Sequence, residues 1–440
     1  MTLIAGVGGA VGSILVAFVG AALLSLVLTP LVRRVVLRYK VVDRPDARRV
    51  NLVPVPRSGG LAVSAAFLLM ATAFLLVNGA LGLVPVPSTF KPTGAIALLL
   101  GGALAAALGA VDDWFDLRAR WQLVGQLALA VAAVALGIVI GFINNPFAGG
   151  VIRFEGPFAA GFAIFWIIGM MNSINWIDGL DGLSSGVAFI AAVTLGLISL
   201  TTQVGQPLIA VLCFALAGSL LGFLRWNFHP ATIFAGTSGV QFVGYTLAVL
   251  SVLGTAKVAV ALLVLGVPII DTFWIIVRRV SEGRSPFTPD RSHIHHRLLD
   301  LGLSHRQTVL VIYGICVALA VLALVLTGAT QLYAFLGVFV ASGLVLFLPT
   351  RGGFRRPDEL EAESYEPDEQ HEPDERHLTS AAAVPVMADP PSVASARSVL
   401  RPPTVAPPPA VVPPTAAPVL AGRAPSPTDP DPPEPRHEAV

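Results

Sequence analysis

Apolar runs of membrane-spanning length recur along most of this chain and limit what it can fold into. Hydrophobic residues make up 55% of its 440 residues and charged residues only 12%, about half the charged fraction of a soluble domain. Because a helix needs roughly 20 apolar residues to cross the hydrocarbon core, the sequence predicts an all-α polytopic membrane protein with about eleven transmembrane helices. The predicted spans are 10–32, 59–80, 93–111, 121–143, 158–175, 182–201, 206–224, 238–253, 256–277, 308–328 and 330–349.

Positive charge is concentrated after alternate predicted spans. Arginine and lysine are frequent from Arg33 to Arg57 and from Arg278 to Arg306, whereas the loops after even-numbered spans contain few of them. Cytoplasmic loops of membrane proteins carry such an excess. We therefore expect the N-terminus outside, the odd-to-even loops and the C-terminus in the cytoplasm, and the protein in the plasma (inner) membrane.

The chain changes character after residue 350. An acidic stretch from Asp358 to Glu375 precedes Pro/Ala/Ser-rich sequence that continues to Pro435, with few aromatic residues. Such a composition cannot bury a core, so we predict disorder. The sequence thus divides into a membrane domain, 1–350, and a cytoplasmic tail, 351–440, which is either a solvated appendage or a segment that recruits partner proteins.

The segment that follows the apolar run 161–171 carries four oxygen-bearing side chains at intervals of three residues: Asn172, Asn175, Asp178 and Asp181. In a helix this spacing stacks the side chains on one face. A charge at the bilayer centre costs at least ~3 kcal/mol, so such residues favour a functional interpretation. Hard oxygen ligands suit Mg²⁺ together with phosphate. A polar helix end with an Asp–Gly turn explains one Asp, but not the whole set.

Asp112 and Asp113 are adjacent at the end of the third predicted span. Neighbouring carboxylates repel each other, which raises the proton affinity of one and leaves the other charged. This arrangement is typical of a catalytic base beside a metal or substrate ligand. A solvated helix cap is the alternative, although one Asp would suffice for it.

Two further loops contain residues suited to anions. Arg57 lies in a Pro–x–Pro–Arg–x–Gly–Gly segment, where it either holds a diphosphate or only sets topology. The turn Gly236–Thr237–Ser238–Gly239 opens the eighth span, and its backbone N–H groups form an anion seat at the helix N-terminus. Phe234, just before it, either stacks on a nucleobase or packs against the membrane domain.

The longest predicted cytoplasmic loop carries a dense basic cluster. Its members are Arg291, His293, His295, His296 and Arg297. Three histidines and two arginines within seven residues favour a diphosphate clamp. A zinc site is the second interpretation. It ranks below the diphosphate clamp because the sequence lacks the spaced ligands and cysteine partners of structural zinc sites.

These five clusters, in this order from about Asp43 to Gln307, resemble the polyprenyl-phosphate N-acetylhexosamine-1-phosphate transferases of glycosyltransferase family 4. The His–Ile–His–His–Arg sequence is similar to the bacterial undecaprenyl-phosphate GlcNAc-1-phosphate transferase branch. The resemblance implies that a polyprenyl phosphate attacks the β-phosphate of a UDP-sugar, with GlcNAc the expected sugar. UMP is released, and a sugar-diphosphate-lipid begins a cell-envelope polysaccharide. It implies Mg²⁺, or Mn²⁺, as cofactor.

The resemblance also implies roles for individual residues. Asp112, Asp113 and Asp178 are the expected catalytic residues, one of the paired Asp residues deprotonating or positioning the lipid phosphate. Asn175, Asp178 and Thr237 occupy the metal positions. The expected substrate-binding residues are Arg57, Asn172, Asp181, Phe234, His293, His295, His296 and Arg297. A homodimer fits the family, the tail would bind other envelope enzymes, and nothing predicts nucleic-acid binding.

Three positions depart from the family pattern. Thr237 replaces an Asp that is a principal magnesium ligand, Gln122 replaces a Lys, and Asn51 replaces a His. A hydroxyl is a poorer Mg²⁺ ligand than a carboxylate, so either Asp178 and Asp181 take over or metal affinity falls. The alternative function is therefore a catalytically weak paralogue that binds nucleotide-sugar or lipid as a scaffold. A transporter is disfavoured, because the carboxylates lie at span ends and no internal repeat is found.

Overall fold

The computed structural model describes residues 2–43, 54–145, 150–201, 204–254, 258–281, 283, 285, 293–326 and 329–347. The predicted disordered tail at 351–440 lies outside the described residues. So do Asn51 and the arginines between 44 and 53, and the segment 286–292 that includes Arg291.

The described residues form thirteen helices and two short hairpins. Strand β1 (Val42–Asp43) pairs antiparallel with β2 (Val55–Pro56), and β3 (Phe142–Asn144) pairs antiparallel with β4 (Val151–Arg153). The helices are α1 (Thr2–Arg38), α2 (Gly60–Leu81), α3 (Pro92–Phe115), α4 (Ala119–Ala135), α5 (Gly156–Ile177), α6 (Leu183–Leu200), α7 (Pro207–Asn227), α8 (Gly236–Leu253), α9 (Val258–Val264), α10 (Gly266–Ser281), α11 (Ile294–Asp300), α12 (His305–Val325) and α13 (Ala329–Phe347).

The predicted class, a polytopic α-helical membrane protein, is confirmed. In the described part of the chain, eight helices are long and apolar enough to cross a membrane. Helices α9 and α10 meet at a bend of 79° and add a ninth span if they are counted as one. The shorter apolar segments Ala119–Ala135 and Thr330–Gly343 fall on the remaining two predicted spans. The count of eleven and the orientation stay predictions.

The fourth predicted span differs most from its helix. The apolar run was expected to continue to residue 143, but α4 ends at Ala135. Gly137 has a φ of 95°, a left-handed conformation that favours glycine. The buried Ile138 and Ile140 then lead into β3. Their hydrophobicity reflects burial in a connection, which composition alone does not separate from a span.

Helices α7 and α8 form the centre of the membrane domain. In their apolar windows 78% and 83% of residues are buried, compared with 22% in α1. Gly218 and Gly222 of α7 face α1 so closely that a Cβ on either would lie 2.1 or 2.2 Å from the carbonyl oxygens of Phe18 and Ala22. This small-xxx-small spacing lets two helix backbones approach within the membrane.

Six helix ends converge at one side of this bundle. Helices α3, α5 and α7 finish there, and α2, α8 and α12 begin there. At the crossing of α2 and α8, a Cβ on Gly60 would lie 1.9 Å from the Cα of Gly239. Helix ends supply unpaired backbone donors and acceptors, so their convergence gathers polar groups at the edge of an apolar bundle.

Candidate functional site

Asp113 joins three of the converging helix ends. One carboxylate oxygen accepts a hydrogen bond from the backbone N–H of Thr237 at 2.8 Å, and the other accepts from the N–H of Ser238 at 3.1 Å and from the Ser58 hydroxyl at 2.8 Å. The first-turn N–H groups of a helix have no partner within it and favour negative charge. Asp113 therefore fills the anion seat of α8 itself, and its buried oxygens are already engaged.

Asp112 is more weakly engaged than its neighbour. Its Oδ1 accepts from the backbone N–H of Leu117 at 2.9 Å and from the side-chain amide of Gln122 at 2.6 Å. No described residue donates to its Oδ2. Gln122, where the resemblance leads us to expect a Lys, thus contacts Asp112 directly. Of the two neighbours, Asp112 is the one with an oxygen available for substrate.

Asp178 is the C-cap residue of α5, in the turn that leads to α6. The Ser184 hydroxyl donates a hydrogen bond to its carboxylate. Burial and, to a smaller extent, the negative charges of Asp113 and Asp181 raise the pKa of Asp178 to about 6, although the hydrogen bond from Ser184 acts in the opposite direction. Asp113 and Asp181 thus lie within electrostatic reach of Asp178, although Asp113 comes from a different sequence motif. Such a concentration of negative charge favours a cation.

Asp181 is held by two other loops. Its Oδ2 is 2.7 Å from His229 Nδ1 and accepts a hydrogen bond from the backbone N–H of Ala231 at 3.0 Å. Its own N–H donates to His305 Nε2 at 2.9 Å. The two imidazole rings stack with centroids 4.1 Å apart and planes at 22°. Neither histidine was assigned a role from the sequence.

The histidine cluster is anchored by Asp271. One Asp271 oxygen lies 2.8 Å from His293 Nδ1, and the other accepts from the N–H of Ile294 at 3.0 Å, which fixes the start of α11. His295 lies over the Asp motif: a Cβ on Gly179 would be 2.2 Å from its Nε2. His296 and Arg297 follow on α11 and are partly buried. The predicted clamp and the Asp motif are therefore in contact.

His295 is in its neutral form at neutral pH. Burial lowers the pKa of its imidazole well below the ordinary value, and the nearby His296, His293 and His305 lower it further. Its Nδ1 is buried and has no hydrogen-bond partner among the residues that the structure describes. A neutral imidazole can donate from one nitrogen and accept at the other, so His295 can orient a polar ligand but contributes no positive charge.

Asn172 points into a buried amide chain. Its Nδ2 donates to Gln126 Oε1 at 2.8 Å, and Gln126 Nε2 donates to Gln241 Oε1 at 3.1 Å. Gln241 lies on α8, one turn beyond Thr237. Asn175 is partly buried at the end of α5, and its backbone oxygen accepts from the N–H of Asp178 at 3.3 Å.

Phe234 and Arg57 lie where the first loop meets the segment that precedes α8. Phe234 pairs through its backbone with Pro56 and Gly59, at N···O distances of 2.9 and 2.8 Å, while its ring is partly exposed. Arg57 pairs with Asp116 at 2.7 Å. Both candidates thus border the site, and Arg57 already has an acidic partner.

The sequence is similar to named bacterial transferases. The profile described as Glycosyl transferase family 4 matches residues 95–255. A probable undecaprenyl-phosphate N-acetylglucosaminyl 1-phosphate transferase of Bacillus subtilis is 37% identical over 76% of this chain and 90% of its own length. The chain belongs to glycosyl transferase family 4. Family relatives also include the decaprenyl-phosphate N-acetylglucosaminephosphotransferase of Mycobacterium tuberculosis, 32% identical over 79% of this chain and 90% of its own. An undecaprenyl-phosphate alpha-N-acetylglucosaminyl 1-phosphate transferase of Yersinia pestis is 28% identical over 67% and 78%.

In this family 4 chain, sequence reasoning missed several residues that surround the carboxylates. They are Ser58, Ser184, His229, Gln241 and His305. Gln241 had a detectable signal, because an amide inside a predicted span is a functional candidate in its own right. The others are serines and histidines in loops or at helix ends, where the local sequence gives no reason to select them.

Proposed function

We propose that this protein transfers GlcNAc-1-phosphate from UDP-GlcNAc to a polyprenyl phosphate on the cytoplasmic side of the plasma membrane. An oxygen of the lipid phosphate attacks the β-phosphorus of the UDP-sugar. The bond from that phosphorus to the bridging oxygen of UMP breaks, and UMP leaves with the electron pair. The convergence of Asp112, Asp113 and Asp178 at one end of the bundle carries the proposal, together with family membership.

The residues present fit a divalent cation. The carboxylates of Asp178, Asp113 and Asp181 are close enough that each neighbour's negative charge raises the pKa of Asp178. Asp178, with Asn175 and the Thr237 hydroxyl, would hold Mg²⁺ or Mn²⁺. When bound, that cation supplies neutralisation of the charge on the transferring diphosphate. Oxygen ligands of this kind suit either ion.

Asp112 and Asp113 have different roles in this proposal. Asp112 keeps an oxygen available and accepts the proton of the lipid phosphate, or aligns its dianion, while Gln122 and the Leu117 N–H hold the carboxylate in place. Asp113 is a positioning residue, since its oxygens hold the start of α8 against Ser58. Phosphoryl transfer depends mainly on alignment and charge stabilisation.

The remaining candidates surround the nucleotide-sugar in this proposal. His293, His296 and Arg297 bind the diphosphate, His295 orients it as a neutral hydrogen-bonding group, and Phe234 stacks on uracil. Arg57 guides the lipid phosphate at the rim, Asp181 supports the loops that close the site, and Asn172 links the helices beneath it through its amide chain. The relatives named above are all named as transferases, which gives the scaffold alternative no support.

UMP release by the full chain in detergent tests the function. Polyprenyl phosphate and a panel of UDP-sugars are supplied with Mg²⁺, with Mn²⁺ or with EDTA. We expect turnover with UDP-GlcNAc that stops in EDTA and resumes when metal is restored. A folded sample that releases no UMP from any sugar would overturn the proposal. If turnover persists in EDTA, the transferase assignment would stand, but the proposed requirement for a divalent cation would be wrong.

A further inference from the structure

The side chains of Asp181, His229 and His305 form a compact cluster beside the carboxylates. Asp181 lies between α5 and α6, His229 lies between α7 and α8, and His305 is the first residue of α12. One carboxylate oxygen and one nitrogen from each imidazole lie within 4.8 Å of one another. We infer that these three residues bind a divalent transition-metal ion of the Zn²⁺ class, at a site separate from the cation proposed for Asp178.

The donor set favours such an ion over Mg²⁺. Two imidazoles and a carboxylate suit Zn²⁺, Co²⁺, Ni²⁺ and Cu²⁺, whereas Mg²⁺ prefers oxygen ligands throughout. Three protein ligands also match zinc sites that keep a fourth position open. Zinc lies about 2.0–2.2 Å from nitrogen and oxygen ligands, so atoms that share it are roughly 3–4 Å apart. The separations in this set are at most 4.8 Å, which exceeds that spacing by about an ångström.

The two imidazole nitrogens are in states that a metal can use. His305 Nε2 accepts a hydrogen bond from the Asp181 N–H at 2.9 Å, so it carries a lone pair and no proton. His229 Nδ1 lies 2.7 Å from Asp181 Oδ2, within hydrogen-bonding distance. An ion between these two atoms would replace their hydrogen bond and leave the carboxylate and both imidazoles as ligands, as metal sites require.

Neighbouring groups hold the ligands in position. The N–H of Ala231 donates to Asp181 Oδ2 at 3.0 Å, and the Arg306 guanidinium donates to the backbone oxygen of His229 at 3.1 Å. Tyr313 donates to the backbone oxygen of Gly182 at 2.5 Å, next to Asp181. Supporting hydrogen bonds of this kind orient metal ligands. The site is also accessible, with 36% of the His229 side chain and 14% of the Asp181 side chain exposed.

Cobalt titration of the full chain in detergent tests the inference. The protein carries an affinity tag without histidine, and the visible absorption of Co²⁺ reports nitrogen and oxygen ligands. We expect about one equivalent to bind, to be displaced by Zn²⁺ and to resist a large excess of Mg²⁺. His229→Gln and His305→Gln should each weaken binding by at least about tenfold. Displacement by Mg²⁺ would overturn the inference, since it would place the ion among the carboxylates.

Matched variants separate this site from other histidines. His371→Gln and His377→Gln remove tail imidazoles, and His296→Gln removes one from α11. These three should leave the cobalt spectrum unchanged. Loss of binding in His296→Gln with retention in both site variants would assign the ion to the histidine cluster and overturn the inference.

A ligand exchange keeps the test independent of folding. In His305→Cys a thiolate replaces the imidazole, so bound Co²⁺ should gain a sulfur charge-transfer band in the near ultraviolet. A merely structural histidine would produce no such band, and its absence from a folded variant would count against the site. All these readouts are of metal binding, so failure of the proposed transferase activity would not affect them.

Discussion

The hydrogen bonds of Asp112 and Asp113 separate two roles that the sequence could only assign to the pair. Asp113 accepts three hydrogen bonds, two of them from the first turn of α8, whereas Asp112 Oδ2 has no donor among the described residues. Removing a buried carboxylate that satisfies several donors leaves those donors unpaired, so Asp113 contributes to stability. An oxygen at the same helix end that keeps its lone pairs is available for chemistry.

Asn substitutions should therefore affect the two positions differently. We expect Asp112→Asn to reduce UMP release by about 10²–10⁴-fold with little change in melting temperature. Asp113→Asn should reduce both UMP release and stability. The expected loss of stability is about 1–3 kcal/mol, because the amide N–H group of the introduced Asn would face the backbone N–H donors of α8. Thermal unfolding in detergent beside the activity assay distinguishes them. Equal stability of the two variants would refute the division of roles.

Asp178 makes stability depend on pH. Its pKa is raised from 3.8 to about 6 by burial and by the charges of Asp113 and Asp181. Between these values the unfolded chain releases the proton first, so rising pH favours unfolding. In EDTA, the melting temperature of Asp178→Asn should exceed that of the wild type increasingly from pH 4 to about pH 6. Parallel curves would contradict this expectation, and the exposed Asp300→Asn is the control.

Thr237 offers a test of the cation site. A carboxylate there would lie in the first turn of α8, where negative charge is favoured, and would add a strong Mg²⁺ ligand. We expect Thr237→Asp to lower the Mg²⁺ concentration for half-maximal activity by about tenfold. Thr232→Asp, which adds the same charge to an exposed position of the preceding loop, should not. Equal responses would indicate a general charge effect.

At the scale of helices, the crossing of α2 and α8 sets the position of the site. Gly60 and Gly239 touch at this crossing, and the backbone N–H of Gly60 donates to Ala235 at 2.8 Å. The carbonyl of Phe234 accepts from Gly59 in the same contact. The start of α8 is therefore fixed from two directions, by α2 and by Asp113.

A methyl group at this crossing should separate the helices. In Gly60→Ala the new Cβ would lie 1.9 Å from the Gly239 Cα, and backbone atoms cannot turn aside as side chains do. We expect stability to fall by about 1–3 kcal/mol and transferase activity to be lost. Gly79→Ala is the control within α2, since a Cβ there meets open space. A Gly60→Ala protein as stable as this control would show that the crossing is loose.

The sequence predicted the helices better than their bends and ends. Apolar length identified the spans, but the predicted single span 256–277 is two helices that meet at 79°, with Gly266 and Pro268 at the start of the second. Hydrophobicity is the same on both sides of such a bend. The end of α4 was missed for a related reason, because Ile138 and Ile140 are apolar without being helical.

For the site, the sequence supplied the carboxylates but not their partners. Asp113 meets the Thr237 N–H across 124 residues, and Asp181 meets His229 across 48. Both contacts depend on how the helices pack, which spacing along the chain does not encode. Residue types also do not indicate which backbone N–H groups will act as donors. Two of the three donors to Asp113 are such backbone groups.

For the whole molecule, the charge pattern predicts which side of the membrane carries the site. Asp116 pairs with Arg57 next to the carboxylates, in loops expected to be cytoplasmic, while the connection from α2 to α3 is expected outside. Both native cysteines, Cys213 and Cys316, are buried. Background reaction with a water-soluble thiol reagent should therefore be low, and single introduced cysteines can report the orientation.

Two exposed positions suffice for this measurement. Ser88→Cys should react with a membrane-impermeant maleimide in intact cells, whereas Arg118→Cys should react only after permeabilisation. The reverse pattern would invert the orientation and place the site outside. Labelling of both positions in purified protein serves as the control for reactivity.

The contact between Asp113 and α8 has a consequence for how this site can change. Asp113 holds position 237 through its backbone N–H, and every residue except proline has that group. The side chain at 237 can therefore be exchanged while the helix end stays in place. The side chain at position 237 can therefore change the chemistry of the site without changing the backbone contact that holds α8. A Thr can occupy the position where relatives are expected to carry an Asp, and the surrounding helices need not move.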